Sequence, residues 1–158
     1  MKYIILCVLI LSFYSCKKEN NLINDLQTRF DIVNAQGTSA RSFQYGEELA
    51  FRYSIKNVSK YSIDYYNDNC PMMSCRVYDS NDSLIGAVTP DNLGCVESLY
   101  VSTLQSKEQK VYQANWSDDP NNINLPVGTY KVKIQDDITF VKSPEKKTVD
   151  LEIYFRVE

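Results

Sequence analysis

Residues 148–157 read Thr-Val-Asp-Leu-Glu-Ile-Tyr-Phe-Arg-Val, and this stretch decides the fold. Three of the four positions between its apolar residues are charged. Successive side chains of a β-strand point to opposite faces, so strict alternation indicates a strand with one buried and one exposed face. The side chains predicted to point inward are Val149, Leu151, Ile153, Phe155 and Val157.

The same alternation appears in other parts of the chain. Residues 47–58 and 128–135 alternate as cleanly as the C-terminal stretch, and residues 109–117 place Tyr112, Ala114 and Trp116 on one face. Shorter strands are predicted over residues 28–34, 61–66, 74–79, 83–89 and 98–104. No segment carries a helical repeat of more than two turns. About eight short strands separated by turn signals predict an all-β, antiparallel β-sandwich over residues 27–158.

The first sixteen residues, MKYIILCVLILSFYSC, have a basic start, an apolar run and a small residue before a cysteine. The apolar run, residues 3–14, is shorter than the about 20 residues that a membrane-spanning helix needs. A basic start and a short apolar core are typical of a secretory signal peptide. We therefore expect residues 1–15 to be a signal peptide.

Phe13-Tyr14-Ser15-Cys16 resembles the bacterial lipobox. The resemblance implies cleavage after Ser15, a diacylglycerol on the sulfur of Cys16, and a fatty acyl chain such as palmitate on its amine. Two or more acyl chains give stable membrane anchoring. Lys17 replaces the aspartate that retains lipoproteins at the inner membrane, which implies the outer membrane. Residues 16–26 would then be the lipidated cysteine and a tether; the alternative is an ordinary cleaved signal with an incidental cysteine.

Composition argues for binding rather than catalysis. Loss of residues 1–15 removes only Lys2 among the charged residues, which leaves a net charge of −4. A mildly acidic chain does not fit nucleic acid, which requires clustered Lys and Arg. The sequence contains no histidine, so it holds no Ser-His-Asp or Cys-His pair and lacks the commonest metal ligand. We expect no catalytic residue, no metal site, no cofactor and no small-molecule substrate.

Three cysteines remain besides Cys16: Cys70, Cys75 and Cys95. A hairpin that turns at residues 80–82 brings residues 89–95 back beside residues 67–73, while Cys75 is in phase with the core residue Val77. We predict a Cys70–Cys95 disulfide and a buried Cys75, with a Cys75–Cys95 bridge as the alternative. A second interpretation of Cys70-Pro71-Met72-Met73-Ser74-Cys75 is a Cu(I) site, since thiolates and thioethers suit that ion.

Pro71, Met72 and Met73 are predicted to form a protein-binding loop. Methionine pairs adapt well to protein contact surfaces, and the disulfide would fix this loop beside residues 90–94 as a binding rim. The alternative, that both methionines fill the edge of the sandwich, remains open.

Two acidic stretches are candidate sites of other kinds. Residues 118–124 offer oxygen ligands suited to calcium, but Asp-Pro-Asn is turn chemistry and the glycine and bidentate glutamate of a calcium loop are missing. Asp136 and Asp137 could form an acid–base pair, yet neighbours on a strand point to opposite faces. A solvated turn and two separate carboxylates are the favoured interpretations.

Residues 125–132, Leu-Pro-Val-Gly-Thr-Tyr-Lys-Val, resemble the tyrosine corner of immunoglobulin-like domains, in which the phenol bonds the upstream backbone. The resemblance implies that the predicted sandwich is an immunoglobulin-like β-sandwich. Four elements in order resemble the intracellular proteinase inhibitor (BsuPI) family over roughly residues 45–135. These elements are a Gly46-Glu47-led strand ending in Lys56-Asn57-Val58-Ser59, then Val77-Tyr78-Asp79, Tyr112…Trp116, and Pro126-x-Gly128-x-Tyr130. The resemblance implies a protease-inhibitor-like domain.

The sequence therefore predicts a lipid-anchored, non-catalytic envelope protein that binds the membrane through Cys16 and captures a protein partner. One alternative is a structural or accessory subunit of an envelope complex. The other is a copper or redox-handling lipoprotein.

Overall fold

Ten strands and one helical turn make up the described part of the chain. The computed structural model describes residues 22–68, 74–88 and 99–158. The helical turn is α1 (Leu22–Asp25), and a short 3-10 turn, Trp116–Asp118, follows the eighth strand. The strands are β1 (Leu26–Asn34), β2 (Ser42–Phe43), β3 (Leu49–Asn57), β4 (Ile63–Asp68), β5 (Cys75–Tyr78), β6 (Leu84–Val88), β7 (Leu99–Leu104), β8 (Gln109–Asn115), β9 (Gly128–Phe140) and β10 (Lys146–Val157).

The strands form two sheets. Sheet A has the order β1-β3-β8, and sheet B has the order β2-β10-β9-β4-β7. β5 also joins sheet B along β9, and β6 pairs with β5. Neighbouring strands run antiparallel except β2, which pairs in parallel with the end of β10. The fold is an immunoglobulin-like β-sandwich, as the sequence predicts.

The C-terminal stretch forms the longest ladder of the molecule. β10 pairs with β9 in unbroken register from Lys146 opposite Thr139 to Val157 opposite Gly128. Its predicted inward face is confirmed: Val149, Phe155 and Val157 are buried, and Leu151 and Ile153 are half-buried. β9 extends five residues beyond its predicted end because Ile138 and Phe140 continue the inward phase and are buried.

The core lies between the sheets and is rich in aromatic side chains. The ring of Phe51 meets Trp116 edge-on at a centroid distance of 6.3 Å, and Phe43 meets Phe155 in the same way at 6.0 Å. Full burial of such a side chain contributes about 1.5–3 kcal/mol. The alternating aromatic and aliphatic positions of the two sheets therefore hold the sandwich together.

The predicted tyrosine corner is present. The phenol hydroxyl of Tyr130 donates a hydrogen bond of 2.7 Å to the carbonyl oxygen of Pro126, and its ring stacks on Phe155 at 5.5 Å. Donor and acceptor are four residues apart, so this hydrogen bond fixes the chain at the start of β9.

Two short elements were not predicted from the sequence. β2 has only two residues, too few to show alternation, and α1 lies within residues 16–26, which were expected to be a tether. In the structure Leu26 is buried and begins β1, so residues 22–26 belong to the folded domain. Leu26 is buried and Leu22 and Ile23 are half-buried, and three apolar residues after a polar stretch are too few to show a periodic pattern.

Candidate functional site

The predicted binding rim is attached to sheet B at two paired positions. Asp68, the last residue of β4, is opposite Leu99 of β7, and Cys75 of β5 is opposite Val88 of β6. Each of the two segments that join these strands, β4 to β5 and β6 to β7, therefore starts beside the point where the other ends. The predicted rim residues Pro71, Met72 and Met73, residues 90–94, and the cysteines Cys16, Cys70 and Cys95 lie outside the described residues. Their roles remain predictions.

Cys75 is the cysteine that the structure describes, and its predicted burial is confirmed. Its side chain is fully buried and carries a free thiol, with Val88 and Ile134 as cross-strand neighbours. Burial raises the pKa of the Cys75 thiol well above its ordinary value. A thiol held protonated is a weak nucleophile and a weak metal ligand.

Two strands, β5 and β4, pair with different parts of β9, and a short stretch of β9 lies between the two pairings. β5 pairs with β9 up to Ile134, and β4 pairs from Thr139 onward. Asp136 lies within this stretch in the inward phase, while Asp137 points outward and is exposed. The two carboxylates are therefore on opposite faces, as predicted.

The outward carboxylate has its own partners. The ammonium of Lys146 lies 2.8 Å from Asp137, and the hydroxyl of Thr148 donates to it at 2.6 Å. These hydrogen bonds lower the pKa of Asp137, so the group stays ionised near neutral pH.

Three tyrosines from both sheets cluster near Asp136 in the interior. Tyr53 and Tyr65 are fully buried, and the half-buried Tyr112 stacks on Tyr53 with ring centroids 6.3 Å apart. Burial is the main cause that raises the pKa of Tyr53, and the negative charge of Asp136 raises it further. Burial also raises the pKa values of Tyr65 and Tyr112.

This tyrosine cluster has limited chemistry. Its hydroxyls remain protonated at physiological pH, so they can donate hydrogen bonds but cannot act as bases. The ammonium of Lys110 lies 5.6 Å from the ring centroid of Tyr65, at cation–π distance. Alternation in the sequence indicates that Tyr53 and Tyr112 point inward. It cannot show that residues from the two sheets meet at one point.

The oxygen atoms of residues 118–124 accept hydrogen bonds from nearby residues in the sequence. Asp118 accepts a hydrogen bond of 2.7 Å from the backbone of Asn115, and Asp119 accepts one of 2.9 Å from the backbone of Asn121. The indole of Trp116 donates to the carbonyl of Ile123 at 2.9 Å. These contacts are those of a turn, as the sequence predicts. Within the described ranges, no group of three Cys, Asp or Glu side chains is arranged to hold a metal ion.

A buried amide closes the opposite end of the sandwich. The Asn57 side-chain nitrogen lies 2.7 Å, 3.0 Å and 3.1 Å from the carbonyl oxygens of Tyr61, Leu104 and Gln105, respectively. Its oxygen accepts hydrogen bonds from the backbone and hydroxyl of Ser59 at 2.9 Å and 2.7 Å. Asn57 is fully buried and joins three chain segments. The sequence indicates only a turn at Asn57-Val58-Ser59 and does not predict that the Asn57 amide joins distant segments.

The point where the chain enters the domain is fastened to the same end. The ammonium of Lys147 donates to the carbonyl oxygens of Ile23 and Leu26 at 2.9 Å and 2.7 Å. The hydroxyl of Tyr61 donates to the Asp25 carboxylate, and the carbonyl of Asp25 accepts a hydrogen bond of 2.8 Å from the backbone of Val58. The end of α1 and the first residue of β1 are therefore held by four hydrogen bonds from three residues.

The two ends of the sandwich differ in charge. We name the proximal end from residues 22–26, 56–64, 104–110 and 140–147, which surround the entry of the chain. The distal end comprises residues 34–48, 78–84, 115–128 and 156–158. The proximal end carries seven lysines and four acidic residues, whereas the distal end carries two arginines and seven acidic residues. The net charges are therefore +3 and −5.

No protein-family model and no curated protein matches this chain. Among solved structures, it is similar to the ApaA protein of Bordetella pertussis at 13% identity, covering 84% of this chain and 94% of that one, with a TM-score of 0.48. It is also similar to PapD-like domain 7 of human CEP192 at 12% identity, covering 85% of both chains, with a TM-score of 0.43. The CARDB domain of the Pyrococcus furiosus PF1109 protein is 16% identical, covering 84% of this chain and 89% of that one, with a TM-score of 0.37.

The class defined by the sheets is that of immunoglobulin-like β-sandwich domains.

Within the described residues, no helix is long and apolar enough to cross a membrane.

Proposed function

We propose that this chain is a lipid-anchored, non-enzymatic binding protein of the bacterial cell envelope. The observation that carries the proposal is the arrangement of residues 1–16, in which a short apolar run ends in Phe13-Tyr14-Ser15-Cys16. The fastening of α1 supports it, because a tether that leaves from residue 22 would pull on a point held by Lys147, Tyr61 and Val58. A domain built in this way tolerates being anchored by its N-terminus.

The described side chains support a role in binding rather than catalysis. Cys75 is buried with a raised pKa, and the cluster hydroxyls of Tyr53 and Tyr112 also have raised pKa values. Asp136 and Asp137 point to opposite faces. None of these groups is placed as an activated nucleophile with a base beside it.

Substitution of Cys16 tests the anchor, and the chain offers Cys7 as a matched control within the apolar run. We expect the wild-type protein and Cys7→Ser to incorporate radiolabelled palmitate and to enter the detergent phase of a Triton X-114 extraction. Cys16→Ser should lose the label. An unlabelled wild-type protein in the aqueous phase would refute the anchor.

The finer proposal is that Pro71, Met72 and Met73 contact a protein partner, in the manner of a protease inhibitor. The pairing of Asp68 with Leu99 and of Cys75 with Val88 supports it, since each rim segment begins beside the point where the other ends. We expect the lipidated protein to inhibit a serine protease of the envelope. Met72→Asp combined with Met73→Asp should abolish inhibition while the melting temperature is retained; inhibition that survives would refute the rim.

A second candidate function is an accessory subunit that pairs with a partner strand through β6. Within the described residues, β6 has a neighbour on one side only, and Leu84 and Ile85 on it are 58% and 37% exposed. An unpaired strand edge with apolar side chains is a template for an added strand. Leu84→Asp combined with Ile85→Asp should then abolish co-purification with the partner, while the methionine variant should retain it.

We further propose that Cys70 and Cys95 form a disulfide between the rim segments. A non-reduced digest should yield a linked Cys70–Cys95 peptide, and Cys75 should be alkylated only after unfolding, because it is buried. A Cys70–Cys75 or Cys75–Cys95 peptide would refute this pairing. The copper alternative requires the Cys75 thiol as a ligand, and the burial of this thiol weighs against it. That alternative predicts that Cu(I) raises the melting temperature of the protein.

A further inference from the structure

The proximal and distal ends present opposite charge along the long axis of the sandwich. We infer that the proximal end faces an anionic lipid surface, so that the domain stands upright on the membrane with its acidic distal end outward. This inference rests on the lipid anchor proposed above. It adds an orientation and a lipid class that the anchor alone does not specify.

The exposed charge of the proximal end comes from lysine. Lys56 and Lys60 are exposed, and so is Lys107, whose ammonium donates to a backbone carbonyl and keeps its charge. Lys142, with a side chain 81% exposed, and Lys146 are each ion-paired with an aspartate. No partner is described for the ammonium of Lys60 within residues 22–68, 74–88 and 99–158. The end therefore offers cationic groups to solvent.

The acidic residues of the same end are mostly engaged by neighbours. Asp25 accepts a hydrogen bond from Tyr61, and Glu108 accepts one of 2.6 Å from the backbone of Gln105. Asp64 accepts a hydrogen bond of 2.8 Å from Thr103 and pairs with Lys142 at 3.2 Å. A hydrogen-bonded carboxylate keeps its charge, so the excess of lysines sets the field at this end. With Asp137, the ion-pair partner of Lys146, included, seven lysines face five acidic residues, and the net charge is +2.

The length of chain before α1 keeps the proximal end near the bilayer. Five residues separate Cys16 from Leu22, so six residue-to-residue steps join them. At a maximum of about 3.6 Å per residue they span roughly 20 Å. Because this span is a maximum, the lysines can come within one Debye length of the lipid headgroups, about 8 Å at physiological ionic strength. Residues 17–21 contain Lys17, Lys18 and Glu19, so the tether adds a net charge of +1.

Charge complementarity then selects the orientation. Basic groups beside a membrane are attracted to anionic lipids, and the effect decays within a Debye length. A domain lying on its side would bring the seven acidic residues of the distal end towards the same surface, where they are repelled. β10 contains 12 residues and runs from the proximal to the distal end. At about 3.3 Å per residue it is roughly 40 Å long, which sets the height of an upright domain.

Neutron reflectometry of the full lipidated chain on supported bilayers tests the inference. On a bilayer containing phosphatidylglycerol at low salt, we expect a protein layer roughly 40 Å thick, the length of β10. On a purely phosphatidylcholine bilayer, the layer should be thinner and more diffuse. Raising the salt to about 1 M, where the Debye length is about 3 Å, should remove the difference.

Matched charge-reversal variants locate the effect. Lys60→Glu combined with Lys107→Glu changes the proximal end, and Arg41→Glu combined with Arg76→Glu makes the same change in net charge elsewhere. We expect the first variant to lose the thick layer on phosphatidylglycerol and the second to keep it. The salt series on the unmodified chain tests the inference independently of how the variants fold.

The possible failures are distinguishable. Absence of any protein layer on both bilayers would refute the anchor, and the orientation would fall with it. A layer that forms equally thick on both bilayers and does not respond to salt would leave the anchor intact and overturn the orientation. Equal behaviour of the two charge variants would also overturn it.

Discussion

The two ends of the sandwich are closed by different chemistry. At the distal end, aromatic rings cover the chain reversals: Trp116 packs on Phe51, and Tyr130 stacks on Phe155. At the proximal end, one buried amide, Asn57, joins three segments through hydrogen bonds. The first type of closure depends on apolar area, and the second on satisfying buried polar groups.

This difference has a consequence for mutation. Removing one hydrogen bond at the distal end leaves the aromatic packing in place, so the loss is small. Removing the amide at the proximal end leaves carbonyl oxygens from several segments without a donor, and each buried unsatisfied group costs about 1–3 kcal/mol. The proximal end should therefore be the more sensitive to a single substitution.

The largest effect is expected for Asn57→Ala. The substitution removes the donor to Leu104 and Gln105 and the acceptor for Ser59. We expect the free energy of unfolding in urea to fall by about 3 kcal/mol. Ser59→Ala, which removes only a hydroxyl, should cost less than half as much; equal losses would show that Asn57 is not the centre of this closure.

Gly86→Val should have the next largest effect and acts on the distal end. A Cβ at Gly86 would lie 2.8 Å from the Trp116 ring and closer still to the Asn122 side chain. Overpacking of this kind costs about 2 kcal/mol. Trp116 is the single tryptophan, so its fluorescence should shift as the loop is displaced.

A second glycine provides the control for this prediction. Gly46 has a φ of 80° with no atom within 4 Å of a Cβ, so Gly46→Ala strains the backbone without touching the loop. It should lower stability while the tryptophan emission remains unchanged. An emission shift in both variants would contradict the proposed contact.

Tyr130→Phe should have a smaller effect. The variant keeps the stacking on Phe155 and loses one hydrogen bond to Pro126. A loss of about 1 kcal/mol is expected in urea unfolding. Tyr154→Phe, at a site 60% exposed, should change stability by less, and a larger loss there would contradict this interpretation of the corner.

The smallest effect is expected at high pH and tests the fastening of α1. Burial, together with the hydrogen bond to Asp25, raises the pKa of Tyr61 to about 12. Because the pKa is higher in the folded than in the unfolded state, the stabilising contribution is complete below the ordinary value of about 10 and is lost as the pH rises through about 12.

Urea unfolding from pH 9 to 12 measures this contribution. Tyr61→Phe should weaken the fall in stability over this range, and Tyr45→Phe, at a site 61% exposed, should not. Identical pH profiles for wild type and Tyr61→Phe would contradict a role for the phenol in holding α1.

Much of the fold could be predicted because it depends on local patterns. The phase of residues 148–157 predicts which side chains of β10 are buried, and the phase shared with Val77 predicts the burial of Cys75. The tyrosine corner is also local, since its donor and acceptor are four residues apart. The pairing of β9 with both β5 and β4 and the meeting of Tyr53 with Tyr65 could not be predicted, because they depend on where strands from distant parts of the chain come together.

The sequence by itself determined the alternation of the strands, the faces they bury and the signal-like run that ends at Cys16. Only the tertiary structure decided that Asn57 would bond a carbonyl 47 residues away and that Gly86 would lie beneath Asn122. It also decided that lysines from three separate segments would gather at one end. Alternation is a property of neighbouring residues and can be read along the chain, whereas these contacts depend on the register and packing of the two sheets.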